Sequence, residues 1–233
     1  MSQGAPRVAG AVLVAIVAIC ASARMYSAHR SAREHGGMRI AAGGASAPTV
    51  GNPLDGGFDP LPPIKIPERL PDFSLPDGAG RVTSISAWNG KSLIINFWAT
   101  WCAPCRREIP LLATLHNEWS GQGIAVIGIA VDQREKVLAY ANELKIPYPL
   151  LIGDQDALQV AAAFGVASPA FPFTVFTDRR GEVVALYVGE LHKAEAALIL
   201  SVVQSLNADR IALPQARRTI EAGLHALAVA RSG

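Results

Sequence analysis

Two cysteines separated by two residues, Cys102 and Cys105, are the residues of this sequence best suited to chemistry. A thiolate is the nucleophile of thiol–disulfide exchange. The pair opens a predicted helix, where unpaired N–H groups and the helix dipole lower a cysteine pKa from about 8.5 to between about 3.5 and 7.5. Pro104 suits the first turn, which does not need its missing N–H. We expect Cys102, at the exposed mouth, to attack and Cys105, one turn deeper, to resolve the mixed disulfide.

Other uses of the pair stay open on these residues alone. A permanent structural disulfide is one alternative, and a thiol-based metal-binding or metal-chaperone module is another. A zinc site needs four ligands, and the sequence has neither a second CxxC nor a closely spaced histidine pair to complete them. The third cysteine, Cys20, lies in an apolar run far from the pair, where a passive thiol is expected.

The segments around the cysteines predict an α/β domain. Apolar, β-branched runs alternate with helical patterns, which is typical of a mostly parallel sheet with an antiparallel hairpin at its end. The predicted order is strand 91–100, helix 103–120, strand 124–131, helix 133–145, strand 149–152, helix 156–164, strands 173–177 and 182–188, and helix 193–206. The cysteine pair therefore follows a buried strand and begins the first helix of this series.

Composition and charge exclude several classes of protein. The chain has 233 residues, of which 50% are hydrophobic and 17% charged, which excludes a wholly disordered protein. The net charge of +2 divides into +4 for residues 1–50, −4 for 51–205 and +2 for 206–233. Because the central body is acidic, we expect no nucleic-acid partner.

The two ends of the chain are expected to lie outside the catalytic domain. Residues 8–23 carry no charge, so segment 1–24 is predicted to be a transmembrane anchor or a cleaved signal peptide. Arginines are more frequent after this segment than before it. By the positive-inside rule alone, this distribution would place the rest of the chain in the cytoplasm, whereas the cysteine chemistry favours an exported domain. Residues 25–63 read as a flexible linker rich in Gly, Ala and Pro, and 207–233 as a basic, loosely docked helical tail.

The stretch 96–110, NFWATWCAPCRREIP, resembles the signature of the TlpA/ResA/DsbE-like branch of thioredoxin-fold proteins. The resemblance covers about residues 64–206. It implies a thioredoxin fold, with a central mixed β-sheet flanked by helices. It also implies the branch's extra helix and strand between residues 132 and 165.

The resemblance also implies the roles of several residues near the cysteines. Pro172, after Phe171, corresponds to the cis-proline that faces the pair, with Pro169 as the rival candidate. Trp101 would provide a docking surface, although plain packing is the alternative. The remaining matches are Ala103 and Pro104 between the cysteines, Pro110 in the helix and Gly189 near the site.

One position departs from plain thioredoxin and affects the proton chemistry. Asn96 stands where thioredoxin has a buried acid, and an amide cannot act as a base. Glu108 is the candidate replacement, although an exposed helix glutamate is an equally good interpretation. The bulky Phe171 before the cis-proline leaves the shape of the substrate groove open.

These features together predict a thiol–disulfide oxidoreductase that exchanges electrons with protein thiols and disulfides. No cofactor is expected beyond the redox-active Cys102–Cys105 disulfide. The resemblance favours a monomeric periplasmic reductant, anchored at the inner membrane or soluble after cleavage. Its substrate would be apocytochrome c or another thiol protein, and a membrane donor would recharge it. A peroxiredoxin-like peroxidase is the alternative enzyme, but Ala99 occupies the place of the Thr or Ser expected there.

Overall fold

The computed structural model describes residues 66–166 and 170–232, in which strands and helices alternate as predicted. The predicted N-terminal segment 1–24, the whole predicted linker 25–63 and Pro169 lie outside the described residues. No helix within the described ranges is both long and apolar enough to cross a membrane.

The strands and helices follow one another along the chain with short connections. The strands are β1 (Ser74–Pro76), β2 (Val82–Ser84), β3 (Ser92–Trp98), β4 (Ile124–Val131), β5 (Leu150–Gly153), β6 (Phe173–Thr177) and β7 (Val183–Val188). The helices are α1 (Ala103–Trp119), α2 (Arg134–Leu144), α3 (Gln155–Ala163), α4 (Lys193–Asn207) and α5 (Leu213–Ser232). From β3 to α4 this is the predicted order.

The central sheet has five strands in the order β5-β4-β3-β6-β7. Strands β3, β4 and β5 are parallel, whereas β6 and β7 are antiparallel to their neighbours. This confirms the predicted mixed sheet with an antiparallel hairpin at one end. Because β3 and β6 run in opposite directions, the end of β3 and the start of β6 lie at the same edge of the sheet.

The two faces of β3 pack into different halves of the core. Every residue of this strand is buried, as its apolar sequence predicts. Ile95 and Phe97 belong to a cluster with α3, while Ile94 belongs to a cluster with α1 and α4. Since side chains alternate along a strand, Asn96 lies on the face that α1 covers.

A small hairpin before the central sheet is absent from the prediction. Strands β1 and β2 pair antiparallel, and Asp77 forms an isolated bridge with Leu151 of β5. Each strand has only three residues, so it is too short to show an alternating pattern. Leu75 nevertheless lies in the main core.

The C-terminal tail is a docked helix, and the expectation of a loose one is wrong for its first half. Ala216 and Ile220 of α5 are buried against α4 and β7. The Arg217 guanidinium donates two hydrogen bonds to the Val183 carbonyl, at 2.6 and 3.1 Å. Gly223 allows the close approach of Leu198, because a Cβ at this glycine would lie 2.6 Å from that side chain.

Candidate active site

The cysteine pair begins helix α1 and forms a disulfide between Cys102 and Cys105. Cys102 is the N-cap residue, and its Sγ accepts a hydrogen bond of 3.3 Å from the Cys105 N–H. Ala103 and Pro104 are the first residues of the helix, so the missing proline N–H leaves no helical hydrogen bond unmade. In the reduced protein the same N–H and the helix dipole would stabilise a Cys102 thiolate.

Cys102 is less accessible than the sequence predicted. Its exposed fraction is 5%, and Cys105 is fully buried. The expectation of an exposed Cys102 is therefore wrong for the disulfide form, because both sulfur-bearing residues pack in a cluster with Trp98 and Ile109. Trp101, in contrast, is 62% exposed beside the pair.

The loop before β6 lies at the same edge of the sheet as the cysteines. The peptide bond between Phe171 and Pro172 is cis, as the resemblance implied. Phe173 pairs with Phe97 at the end of β3, and Phe171 packs against the cluster that contains both cysteines. Gly189 donates an N–H···O hydrogen bond of 2.8 Å to the Pro172 carbonyl, and its φ of +107° favours glycine.

A chain of four aromatic rings runs from the exposed Trp101, beside the cysteines, to the buried Phe97 in the core. Trp101 contacts Phe171 edge-on at 6.2 Å between ring centroids, and Phe171 stacks on Phe173 at 6.2 Å. Phe173 stacks in turn on Phe97 at 4.3 Å. The bulk of Phe171 therefore extends the apolar surface beside Trp101.

Glu108 is buried on the face of α1 that also carries Cys105, so the exposed-glutamate interpretation is wrong. Only 1% of its surface is exposed. The Asn96 side-chain amide donates to Oε1 at 2.7 Å, and the Leu191 N–H donates to Oε2 at 2.7 Å. Glu108 follows Cys105 by three residues, a spacing that places both side chains on one side of a helix.

Burial makes the Glu108 carboxyl a weaker acid than an exposed glutamate. Desolvation and, to a smaller extent, the nearby negative charge of Glu190 raise the pKa of its carboxyl, which reaches about 7 instead of the ordinary 4.5. The hydrogen bonds from Leu191 and Asn96 oppose this rise, since they stabilise the carboxylate. Burial also raises the pKa of Tyr148, with a smaller contribution from Glu108. Glu108 can therefore accept or release a proton near neutral pH.

Several groups around Glu108 lie far away in the chain, and no local sequence pattern connects them with it. Leu191 is 83 residues from Glu108, and Thr174 accepts a hydrogen bond from Asn96 across 78 residues. Because nearly every residue has a backbone N–H, the residue type at position 191 does not indicate that this one will bind the carboxyl. Arg107, next to Glu108, and Glu190, next to Leu191, form an ion pair on the solvent-facing side of the loop between β7 and α4. Across residues 66–166 and 170–232, no three His, Cys, Asp or Glu side chains form a group that could hold a metal ion.

The sequence matches known thiol–disulfide proteins over the domain that carries this site. The thioredoxin-like protein YneN of Bacillus subtilis is 34% identical over 136 residues, which are 57% of this chain and 76% of that protein. The thiol-disulfide oxidoreductase ResA of Geobacillus thermodenitrificans is 32% identical over 133 residues, which are 57% of this chain and 74% of ResA.

Solved structures and a family model agree with these relatives. A secreted thiol-disulfide isomerase from Corynebacterium glutamicum superposes with a TM-score of 0.51 and 25% identity, covering 55% of this chain and 80% of the isomerase. A DsbF homologue from Corynebacterium diphtheriae has the same fold, with a TM-score of 0.52, 24% identity and coverage of 59% and 85%. The AhpC/TSA family model matches residues 66–186, more than half of the chain. The chain therefore belongs to the AhpC/TSA family and, within it, is a thioredoxin-like thiol–disulfide oxidoreductase related to ResA.

Proposed function

We propose that Cys102 and Cys105 exchange electrons with protein substrates and that Glu108 accepts the proton of Cys105. The observation that carries this proposal is the buried carboxyl of Glu108, three residues after Cys105 and with a pKa of about 7. A group that changes its charge near the working pH is suited to general acid–base catalysis. Asn96 stands where plain thioredoxin has a buried acid, and an amide cannot act as a base, which supports the same assignment.

The proposed reaction moves two electrons from the cysteine pair to a substrate disulfide. The Cys102 thiolate attacks one substrate sulfur, forms a mixed disulfide and releases the other substrate sulfur as a thiolate. Cys105 then transfers its proton to the Glu108 carboxylate and attacks the Cys102 sulfur. The mixed disulfide breaks, the second substrate thiolate leaves, and the Cys102–Cys105 disulfide forms. Protonation of the substrate thiolates and release of the Glu108 proton complete the balance.

The substrate is proposed to dock on the apolar surface that Trp101, Ala103 and Phe171 form around the cysteines. Trp101 supplies an exposed ring and Phe171 supplies its partly buried neighbour. Ala103 is exposed beside the pair and its small side chain leaves room for a substrate segment. The backbone of Phe171, before cis-Pro172, would hydrogen-bond with the substrate next to the sulfur atoms.

Trapping of a covalent intermediate tests the activity. In a Cys105→Ser variant the mixed disulfide cannot be resolved, so substrates should accumulate on Cys102 and be released by dithiothreitol. A Cys102→Ser variant is the matched control, because it keeps one thiol but lacks the attacking one. Failure of Cys105→Ser to trap any protein, together with no insulin reduction by the unmodified protein, would contradict the proposal.

The direction of the reaction is proposed to be reduction of the substrate. Relative reduction potentials decide the direction, and 30 mV corresponds to about 1.4 kcal/mol for two electrons. We expect the Cys102–Cys105 couple to lie near thioredoxin, about −270 mV, rather than near the oxidant DsbA, about −120 mV. Equilibration with glutathione buffers measures this potential. The substrate of such a reductant is proposed to be apocytochrome c cysteines or another thiol protein, and a membrane donor would recharge it.

The N-terminal segment is proposed to place the domain on the periplasmic side of the inner membrane. The support is the uncharged run 8–23 followed by the Gly-, Ala- and Pro-rich segment 25–63. Intact mass of the protein from membrane and soluble fractions distinguishes an anchor from a cleaved signal. The purified protein is expected to be a monomer, which its elution volume tests.

The match to the AhpC/TSA family keeps a peroxidase as the second candidate. Ala99 stands three residues before Cys102, where a peroxidatic cysteine is expected to have Thr or Ser. We therefore expect slow consumption of hydrogen peroxide compared with exchange on insulin. Rapid peroxide turnover that depends on Cys102 would favour the peroxidase.

A further inference from the structure

Two consecutive residues of α1 bind two consecutive residues of the loop between β7 and α4. On the outer side, Arg107 pairs with Glu190, with Nε and Nη2 at 2.8 and 2.5 Å from Oε2. On the inner side, the Leu191 N–H donates to Glu108 Oε2 at 2.7 Å. The ion pair and the buried hydrogen bond therefore join the same two segments, side by side.

The same loop is also attached to the substrate edge of the site. Gly189 donates its N–H to the Pro172 carbonyl at 2.8 Å. Three successive residues, 189 to 191, thus bind the cis-proline loop, Arg107 and Glu108 in turn. A shift of this short loop would change the hydrogen bond on the Glu108 carboxylate.

We propose that the Arg107–Glu190 pair positions Glu108, by holding loop 189–191 so that the Leu191 N–H stays on the carboxylate. Arg107 and Glu190 are positioning residues, since they act through Leu191 and touch no reacting atom. The inference rests on the proposed role of Glu108 as the proton acceptor of Cys105. Loss of the Leu191 hydrogen bond would favour the protonated carboxyl and leave less carboxylate to accept the proton.

The groups that face Glu108 come from several elements of the fold. Two neutral polar side chains belong to the sheet, one tyrosine precedes β5, and one carboxylate lies in the loop. They are Asn96, Tyr148 and Glu190, together with Thr174, which contacts the Asn96 amide rather than Glu108 itself. Glu190 itself faces Arg107 and, at 4.0 Å, the Nδ1 atom of His192. Any measurement of Glu108 must therefore separate the charge of Glu190 from the position of the loop.

A charge-neutral double variant makes that separation. Glu190→Gln alone removes a negative charge, which lowers the Glu108 pKa, while loss of the Leu191 hydrogen bond raises it. Arg107→Gln combined with Glu190→Gln removes one charge of each sign and leaves the net charge unchanged. Positioning by the ion pair then predicts a higher Glu108 pKa, whereas a purely electrostatic role predicts a lower one, because the Glu190 charge that raises this pKa is removed.

Carbon-13 NMR of the Glu108 carboxyl in the oxidised, full-length protein is the test. Glu108→Gln assigns the signal, and the unmodified protein is the reference for the midpoint. Arg106→Gln removes one positive charge from the exposed neighbour and shows how far the loss of a lone charge moves the midpoint. Exposed ion pairs are weak, so we expect the double variant to raise the midpoint by about half a pH unit. The carboxylate fraction at pH 7 would fall about two-fold, and resolution of a mixed disulfide would slow equally. A midpoint no higher than that of the unmodified protein would overturn the proposal.

Amide hydrogen exchange at Leu191 gives a second, independent readout. We expect several-fold faster exchange in the double variant than in the Arg106→Gln control. If the double variant does not fold, Glu190→Gln alone is measured in the same way, and unchanged exchange at Leu191 would overturn the inference. The midpoint could shift in the double variant while Glu108→Gln resolves the mixed disulfide at the normal rate. That outcome would contradict only the proton role of Glu108 and not the positioning by the ion pair.

Discussion

The side-chain amide of Asn96 donates a hydrogen bond of 2.7 Å to the Glu108 carboxyl, and both side chains are buried. An amide on β3 and an acid on α1, three residues after Cys105, therefore form one buried hydrogen-bonded pair. The Leu191 N–H completes the contacts of the carboxyl. The arrangement combines a high cost of ionisation with two donors that make ionisation possible, which explains a pKa near neutrality.

The stability of the protein should depend on pH through Glu108. Its folded pKa of about 7 exceeds the ordinary 4.5, so between these values the native state binds more protons than the unfolded state. Stability should therefore fall as the pH rises from about 4.5 to 7, by up to about 3 kcal/mol. Glu108→Gln should remove this fall, which urea unfolding at several pH values measures.

The matched control for this experiment is Glu118→Gln, on the exposed surface of the same helix. It should leave the pH dependence unchanged. The Glu108→Gln side chain can be accommodated, since rotation of the Asn96 amide would offer an acceptor to the new donor. A Glu108→Gln variant with the same pH dependence as the unmodified protein would show that the carboxyl titrates normally.

Glu108→Gln should slow the second half of the exchange reaction and leave the first half nearly unchanged. Attack by Cys102 does not require the Glu108 base, whereas Cys105 must lose its proton before it attacks. We expect resolution of the mixed disulfide to slow about 100-fold at pH 7. Rapid-quench trapping with a peptide disulfide measures both steps. The defect should shrink at high pH, where Cys105 ionises without help; a defect that is equal at all pH values would contradict this explanation.

Trp101→Ala should weaken protein substrates without harming the chemistry of the cysteines. The ring is 62% exposed and makes an edge contact with Phe171, and exposed aromatic anchors contribute strongly at interfaces. We expect KM for a protein substrate to rise about ten-fold with little change in kcat. A small disulfide such as oxidised glutathione serves as the internal control. Equal losses on both substrates would indicate a packing role instead.

Ile220→Ala should destabilise the whole domain, because α5 belongs to the core. Ile220 is 3% exposed in the cluster with α4 and β7, and removal of a buried isoleucine side chain costs about 2–5 kcal/mol. Val82→Ala, at a position that is 75% exposed, should change stability by less than about 0.5 kcal/mol. Thermal unfolding of both variants measures the difference. An unchanged melting temperature for Ile220→Ala would mean that α5 is not part of the cooperative unit.

Features that depend on short stretches of chain can be predicted from the amino-acid sequence. The wholly apolar runs at 92–98 and 124–131 predict buried strands, and the order of strands and helices predicts a mixed sheet. The CxxC spacing with Pro104 places the cysteine pair at a helix N-terminus. Local periodicity and helix capping need only neighbouring residues, which is why these predictions were confirmed.

Which of the polar residues are buried depends on how distant segments of the chain pack together. Helical spacing places Glu108 on the side of Cys105, but its burial depends on β3 and on Leu191, 83 residues away. The cover of α5 over β7, and the low exposure of Cys102, are likewise set by distant segments. Burial is a property of the assembled layers, and the acidity of Glu108 follows from burial, so neither could be read from local pattern alone.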